Sequence, residues 1–307
     1  MVEGRLARHP LTTIETTYAR RARYYSSADG FNIKRSRIPA QVFLRERDRA
    51  LDPAPPTGLL PLDLSAALGS DGPATTPLIL TRYARIRAGQ SLATRFEASG
   101  EIYYVIAGSG ETTWGTETLG WETGDVFCLP GGTAARHHAS GGDAVLWVVT
   151  NEPELAFERA QAPRPGQAPL EAVHYPGVEI RRQLELIHRL PPEKTMTGKA
   201  VTLSSAALES QRTCLPSLTL AMNSLLPGES QRPHRHNAIA VTLVVDGAGC
   251  HSLIDGERVD WVKHAIMITP PAAVHSHHNE GDELALFLIV QDGGLYYHCR
   301  TMGFSYA

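Results

Sequence analysis

Apolar residues along this chain come in short runs bounded by turn residues. Residues 102–106 (IYYVI) and 144–149 (AVLWVV) are rich in β-branched and aromatic side chains, and glycines at 108–110, 131–132 and 141–142 punctuate the region between 78 and 150. Such spacing predicts short antiparallel strands closed into a sandwich or barrel. The texture returns at Leu218 and runs to the C-terminus, with glycine-bearing turns at 247–249 and 255–256. Pro-rich segments at 51–61 (LDPAPPTGLLP) and 162–169 (APRPGQAP), and the loop at 69–73 (GSDGP), read as arm and linker. Residues 178–190 (VEIRRQLELIHRL) place apolar positions near helical spacing and stop at Pro191-Pro192, predicting a short helix. The expected organisation is all-β: an N-terminal arm over 1–75, a first barrel over 76–155, a linker with a short helix over 156–205, and a second barrel over 206–307.

The two β-rich halves superpose as a repeat. Gly89 is followed by Arg95, Glu97, Glu101 and Gly108; Gly228 is followed at identical offsets by His234, His236, Ala240 and Gly247. Pro130 precedes Ala135 by the same five residues that separate Pro270 from His275. A duplication with metal-ligand chemistry in one copy accounts for both. In a strand His234 and His236 share a face, which makes half of a facial metal site. His275 would join them from a later strand, and within His275, His277 and His278 the first two share a face. Neutral imidazole suits Fe, Zn, Cu and Ni, so histidines alone leave the metal open. In the first half an ion pair of Arg95 with Glu97 or Glu101 is expected to fill the equivalent pocket, which would then bind no metal.

Composition narrows the partners. A net charge of -3 gives no electrostatic case for nucleic acid or an anionic membrane. No stretch approaches the roughly 20 apolar residues of a membrane span. Cys128, Cys214, Cys250 and Cys299 are scattered without a CxxC pair, so free thiols in a cytoplasmic setting are expected. No apolar run opens the chain, and Glu3 and Glu15 count against a transit peptide.

The full pattern resembles the cupin superfamily, whose first motif is G-x5-H-x-H-x3,4-E-x6-G and whose second is built around P-x4-H-x3-N. This chain has Gly228-x5-His234-x-His236-x3-Ala240-x6-Gly247, then Pro270-x4-His275-x3-Asn279. The resemblance covers residues 218–300 well and 78–150 more weakly. It implies two tandem cupin barrels (double-stranded β-helix, or jelly roll), with one metal on His234, His236 and His275. Ala240 stands where many cupins place a ligating glutamate, which leaves three histidines and no carboxylate. Residues 225–229 (LLPGE) and 275–283 (HSHHNEGDE) are similar to the gentisate and salicylate 1,2-dioxygenases, bicupin Fe(II) enzymes that open an aromatic ring with O2. By that resemblance His277 handles the proton of a substrate hydroxyl, as a base with a pKa near the working pH.

Three departures qualify the likeness. The metal motif sits in the C-terminal barrel here, whereas it occupies the N-terminal one in those enzymes. Thr242 replaces the family's carboxylate-gripping arginine, and Ile289 a pocket aspartate, so bidentate carboxylate recognition at that place is lost. Arg232, Arg235 and Arg300 are the candidate substitutes for that grip, with solvated or structural roles as the alternative. The expectation is an Fe(II)-dependent dioxygenase acting on a hydroxylated aromatic or enolisable small molecule with O2, with Zn, Ni, Mn or Cu as other possible metals. A metal-dependent lyase, isomerase or hydrolase that does not use O2, or a non-catalytic small-ligand cupin, remains open on the same residues. Bicupins often cover sheet edges by pairing subunits, which implies a homodimer or homotetramer.

Overall fold

The computed structural model describes residues 16–191 and 198–307. Glu3 and Glu15 lie outside the described residues. The described residues 16–37 belong to a unit of their own. It contains two short helices, Thr17–Arg21 and Ser27–Gly30, each opened by a hydroxyl that accepts a backbone N–H, Thr16 from Ala19 and Ser26 from Asp29.

From Ile38 onward the chain builds two barrels of one topology. In the first, the larger sheet runs in space Gly58–Pro61, Leu80–Ile86, Ala144–Thr150, Gly100–Ala107, Val126–Pro130, Val173–Tyr175. The smaller runs Ser91–Thr94, Ala135–Ala139, Ser109–Trp114, Glu117–Glu122. The second barrel repeats this order. Its larger sheet is Lys199–Leu203, Thr219–Leu225, Ala285–Gln291, Ala240–Asp246, Ile266–Thr269. Its smaller sheet is Glu257–Asp260, Cys250–Ile254, His275–Asn279, His234–His236, Phe304–Tyr306. The jelly-roll duplication expected from the repeat is therefore the observed architecture. Among the described residues no helix is long and apolar enough to cross a membrane.

Each barrel has its own interior, built around Tyr103, Phe127 and Leu146 in the first and Phe287, Met267 and Trp261 in the second. A third cluster joins the outer faces of the two larger sheets, packing Tyr83, Trp147 and Ile102 with Leu220, Val241 and Leu288. Strands such as Ala144–Thr150 are thus covered on both sides. That is why they read as unbroken apolar runs and not as alternation. The helix expected at 178–190 forms as Gly177–Arg189 and contributes Ile180 and Leu184 to the shared core.

The structure redraws the arm and linker. Phe43, Ala50 and Leu62 are core residues, and Gly58–Pro61 pairs with Leu80–Ile86 as an outer strand. Phe43 N–H donates to the Ile266 carbonyl and Ile268 N–H to the Gln41 carbonyl, both at 2.9 Å, so residues 41–43 extend the second barrel's sheet. Val173–Tyr175 and Lys199–Leu203, within the expected linker, are also outer strands. The physical reason is the cost of an open sheet edge: unpaired backbone groups recruit whatever extended chain lies nearby. Pro61 is tolerated because an outer strand can spare a donor.

The first barrel's centre also differs from expectation. Arg95 and Glu97 are exposed, while their neighbours Thr94 and Phe96 turn inward. Glu97 accepts the Ala162 N–H at 3.2 Å, and the Arg82 guanidinium lies 4.6 Å above the Phe96 ring. No Arg95 ion pair fills the pocket; a phenyl ring does so without the desolvation cost of two buried charges. A buried polar cluster completes the plug. Tyr103 hydroxyl donates to Glu101 Oε2, Thr94 Oγ1 and Thr112 Oγ1 lie 3.0 and 2.8 Å from the two nitrogens of His137, and Trp121 N–H donates to Thr112 at 2.9 Å. Glu101 Oε1 is buried with no partner among the described residues, and burial raises this carboxyl to about 8. His137 is lowered by burial to about 4.

Glu101 is therefore neutral in the fold up to about pH 8, whereas its unfolded counterpart ionises near 4.5. The stability it contributes is full below the unfolded value and is lost as pH rises towards the folded one. His137 acts oppositely below 6.5, and subtraction removes it. Denaturant midpoints of wild type minus those of Glu101→Gln should decline from about pH 5 to about pH 8. Parallel profiles would show a carboxylate that is already ionised in the fold.

Candidate metal centre and cavity

His234–His236 is an inner strand of the second barrel's smaller sheet. It pairs with His275–Asn279 on one side, where His234 faces His275 directly, and with Phe304–Tyr306 on the other. Alternation sends His234 and His236 inward and the intervening Arg235 outward, where it is exposed. Pairing then brings the third ring to the first two. Ring centroids of His275 lie 4.3 Å from His234 and 4.8 Å from His236, and a donor nitrogen from each of the three falls within 4.8 Å of the others.

Each Nδ1 sits against a backbone carbonyl two residues away: Arg232 at 2.9 Å for His234, Ala238 at 2.8 Å for His236, and Ala273 at 3.0 Å for His275. A carbonyl only accepts, so each Nδ1 carries the proton and each Nε2 keeps its lone pair. Burial lowers all three rings, His275 to about 4, so they stay neutral near pH 7. Three convergent lone pairs without protons between them repel one another, and a cation relieves that repulsion. The donor set fits a divalent metal on three imidazoles. Ala240, where a carboxylate ligand would stand, lines the same space.

The rings border a cavity of about 250 Å³. A dry cavity of ~150 Å³ accommodates benzene, so this one admits a substituted single ring. Asn223, Gln231, Gln291, Tyr297 and Phe304 complete its wall, and Phe304 stacks on His234 at 5.5 Å between centroids. Sequence reading missed these residues. For Asn223 and Gln291 a signal was present: both are polar positions on the inward-facing alternation of otherwise apolar strands. Phe304 reaches the site only because its strand adds to the edge of His234–His236.

His277 and Ile289 line the cavity. His277 Nδ1 lies 2.8 Å from Ser252 Oγ, which also accepts the Trp261 indole N–H at 2.8 Å. Ser252 Oγ keeps a second lone pair and also contacts Met267 Sδ at 3.8 Å, so either tautomer of His277 satisfies the contact, with Nε2 on the cavity side. Burial first, then the neighbouring histidines, push His277 well below the ordinary imidazole value. The remaining substrate candidates lie elsewhere. The Arg232 guanidinium lies 3.9 Å above the Tyr306 ring, and exposed Arg300 turns back to the His298 carbonyl. Thr242 is buried outside the cavity lining, between cross-strand neighbours Met267 and Ile289, and its hydroxyl has no partner among the described residues.

Fold and site together define a protein of two jelly-roll barrels with a three-histidine pocket in the second. Residues 222–291 match the cupin domain family. The chain is 30% identical over 146 residues to gentisate 1,2 dioxygenase 1 of Aquipseudomonas alcaligenes, covering 47% of this chain and 40% of that protein. It is 33% identical over 96 residues to 5-aminosalicylate 1,2-dioxygenase of Comamonas sp, covering 30% and 25%. The matches thus span less than half the length of these relatives. Among solved structures, salicylate 1,2-dioxygenase from Pseudaminobacter salicylatoxidans superposes with a TM-score of 0.72 over 88% of both chains at 13% identity, a likeness of fold.

Protein dialysed against Fe(II) under nitrogen should retain one ion per chain by elemental analysis. His234→Ala, His236→Ala and His275→Ala should each weaken retention at least about 100-fold, whereas Gln291→Leu should keep it. Full occupancy in His275→Ala would break the ligand assignment.

Proposed function

We propose that this protein is an Fe(II)-dependent dioxygenase that cleaves a carbon–carbon bond of a hydroxylated aromatic or enolisable small molecule with O2. The observation that carries this reading is the convergence of three lone-pair-bearing Nε2 atoms on one wall of a cavity sized for a single ring. Similarity to gentisate and 5-aminosalicylate 1,2-dioxygenases over 146 and 96 residues supports it.

When bound, the ion supplies positive charge that acidifies a coordinated hydroxyl, open coordination positions, and a route for electrons from substrate to O2. The histidines leave that charge undiminished because all three are neutral. Their backbone partners hold ring orientation, so the open face points into the cavity. His277 Nε2 hydrogen-bonds the substrate hydroxyl and fixes its position. Phe304 covers the His234 ring and limits water on that side. Both atoms of O2 enter the product, so no external reductant is required.

An oxygen electrode should register one O2 consumed per substrate opened. His277→Ala should retain iron and lose about 10²–10³ in kcat, the cost of one positioned hydrogen bond, while His234→Ala should lose iron and turnover together. Product formed without oxygen uptake would replace this reading with a lyase or hydrolase.

A further inference from the structure

We infer that the second-barrel cavity takes an uncharged substrate, in which the group beside the reacting hydroxyl is a carboxamide, ketone or ester and not an ionised carboxylate. The inference rests on the dioxygenase reading of the same site and adds its substrate class. Among the described residues fifteen line the cavity, and none of these is arginine, lysine, aspartate or glutamate. The nearby arginines are committed elsewhere: Arg232 over Tyr306, Arg235 on the outward face of its strand, Arg300 on the His298 carbonyl.

The polar wall consists instead of amides and hydroxyls. Asn223, Gln231 and Gln291 supply three carboxamides, with Gln291 Nε2 placed 3.3 Å from His236 Nε2 at the edge of the metal position. Behind the wall, Thr242 holds a buried hydroxyl that still lacks a partner among the described residues. Carboxamides and hydroxyls donate and accept without neutralising charge. On the wall away from the metal position, a substrate carboxylate exchanges water for neutral dipoles and meets no guanidinium fork. An amide or ketone needs only the donors and acceptors already present, and the amide N–H2 finds acceptors that a carboxylate cannot use.

The test uses a matched pair and reads binding without oxygen. The full chain is loaded with Fe(II) under nitrogen, its iron content is measured, and it is titrated calorimetrically with 2,5-dihydroxybenzamide and with 2,5-dihydroxybenzoate. The amide should bind at least about tenfold tighter than the acid. Asn223→Arg, which places a cation at a half-buried wall position, should shift that ratio at least about tenfold towards the acid. Equal or tighter binding of the acid by iron-loaded wild type overturns the inference, as does failure of both compounds to bind. A chain that retains no iron counts against the metal reading instead. The same titrations on the iron-free chain then decide between amide and acid, with the same expected order and the same overturning result.

Discussion

The antiparallel register that sets His234 opposite His275 is the constraint on which the site depends. Side chains alternate faces along a strand, so a slip of one residue would turn His275 outward and bring Ser276 in, leaving two ligands of three. Nothing in the short strand His234–His236 could hold that register alone. It is fixed by the flanking strands: His275–Asn279 pairs along five residues with Cys250–Ile254, and Phe304–Tyr306 pairs along all three residues of the histidine strand. The backbone carbonyls that orient each imidazole lie just outside those strands, each two residues from its histidine. Strand pairing and tautomer choice are thus one structural decision.

The two barrels show how one scaffold supports opposite interiors. In both, an indole N–H donates to a hydroxyl that meets a histidine Nδ1: Trp121, Thr112 and His137 in the first, Trp261, Ser252 and His277 in the second. Beyond that shared relay they diverge. In the first barrel the far side of His137 is closed by Thr94, Tyr103 and Glu101, and Phe96 fills the remaining space. In the second, small and neutral residues around His277, Ala240 among them, leave a cavity. A plugged barrel packed through a continuous apolar layer against an open one gives the cavity a rigid back wall.

The electrostatics of the cavity follow from the same economy. Every titratable group bordering it that shows a shift is a histidine pushed towards neutrality by burial. With no carboxylate among the described residues of the lining, a divalent ion would be the one full charge they face. Its field would act on substrate oxygens without competition from side chains, which suits acidification of a hydroxyl more than capture of a preformed anion.

Much of this was legible along the chain. The repeat offsets from Gly89 and Gly228 give the duplication, and His-x-His with His275 five residues beyond Pro270 gives the metal position. These survive because strand alternation and turn spacing are local properties with fixed periods. What the sequence could not decide was where extended segments go when several edges compete for them. That Gly58–Pro61, Val173–Tyr175 and Phe304–Tyr306 are strands of barrels was settled by nonlocal pairing. The inward turn of Phe96 in place of Arg95, and the placing of Asn223 and Gln291 on the cavity wall, were likewise decided by burial in three dimensions. Local pattern fixes which side chains can share a face; only the assembled sheets determine what that face looks onto.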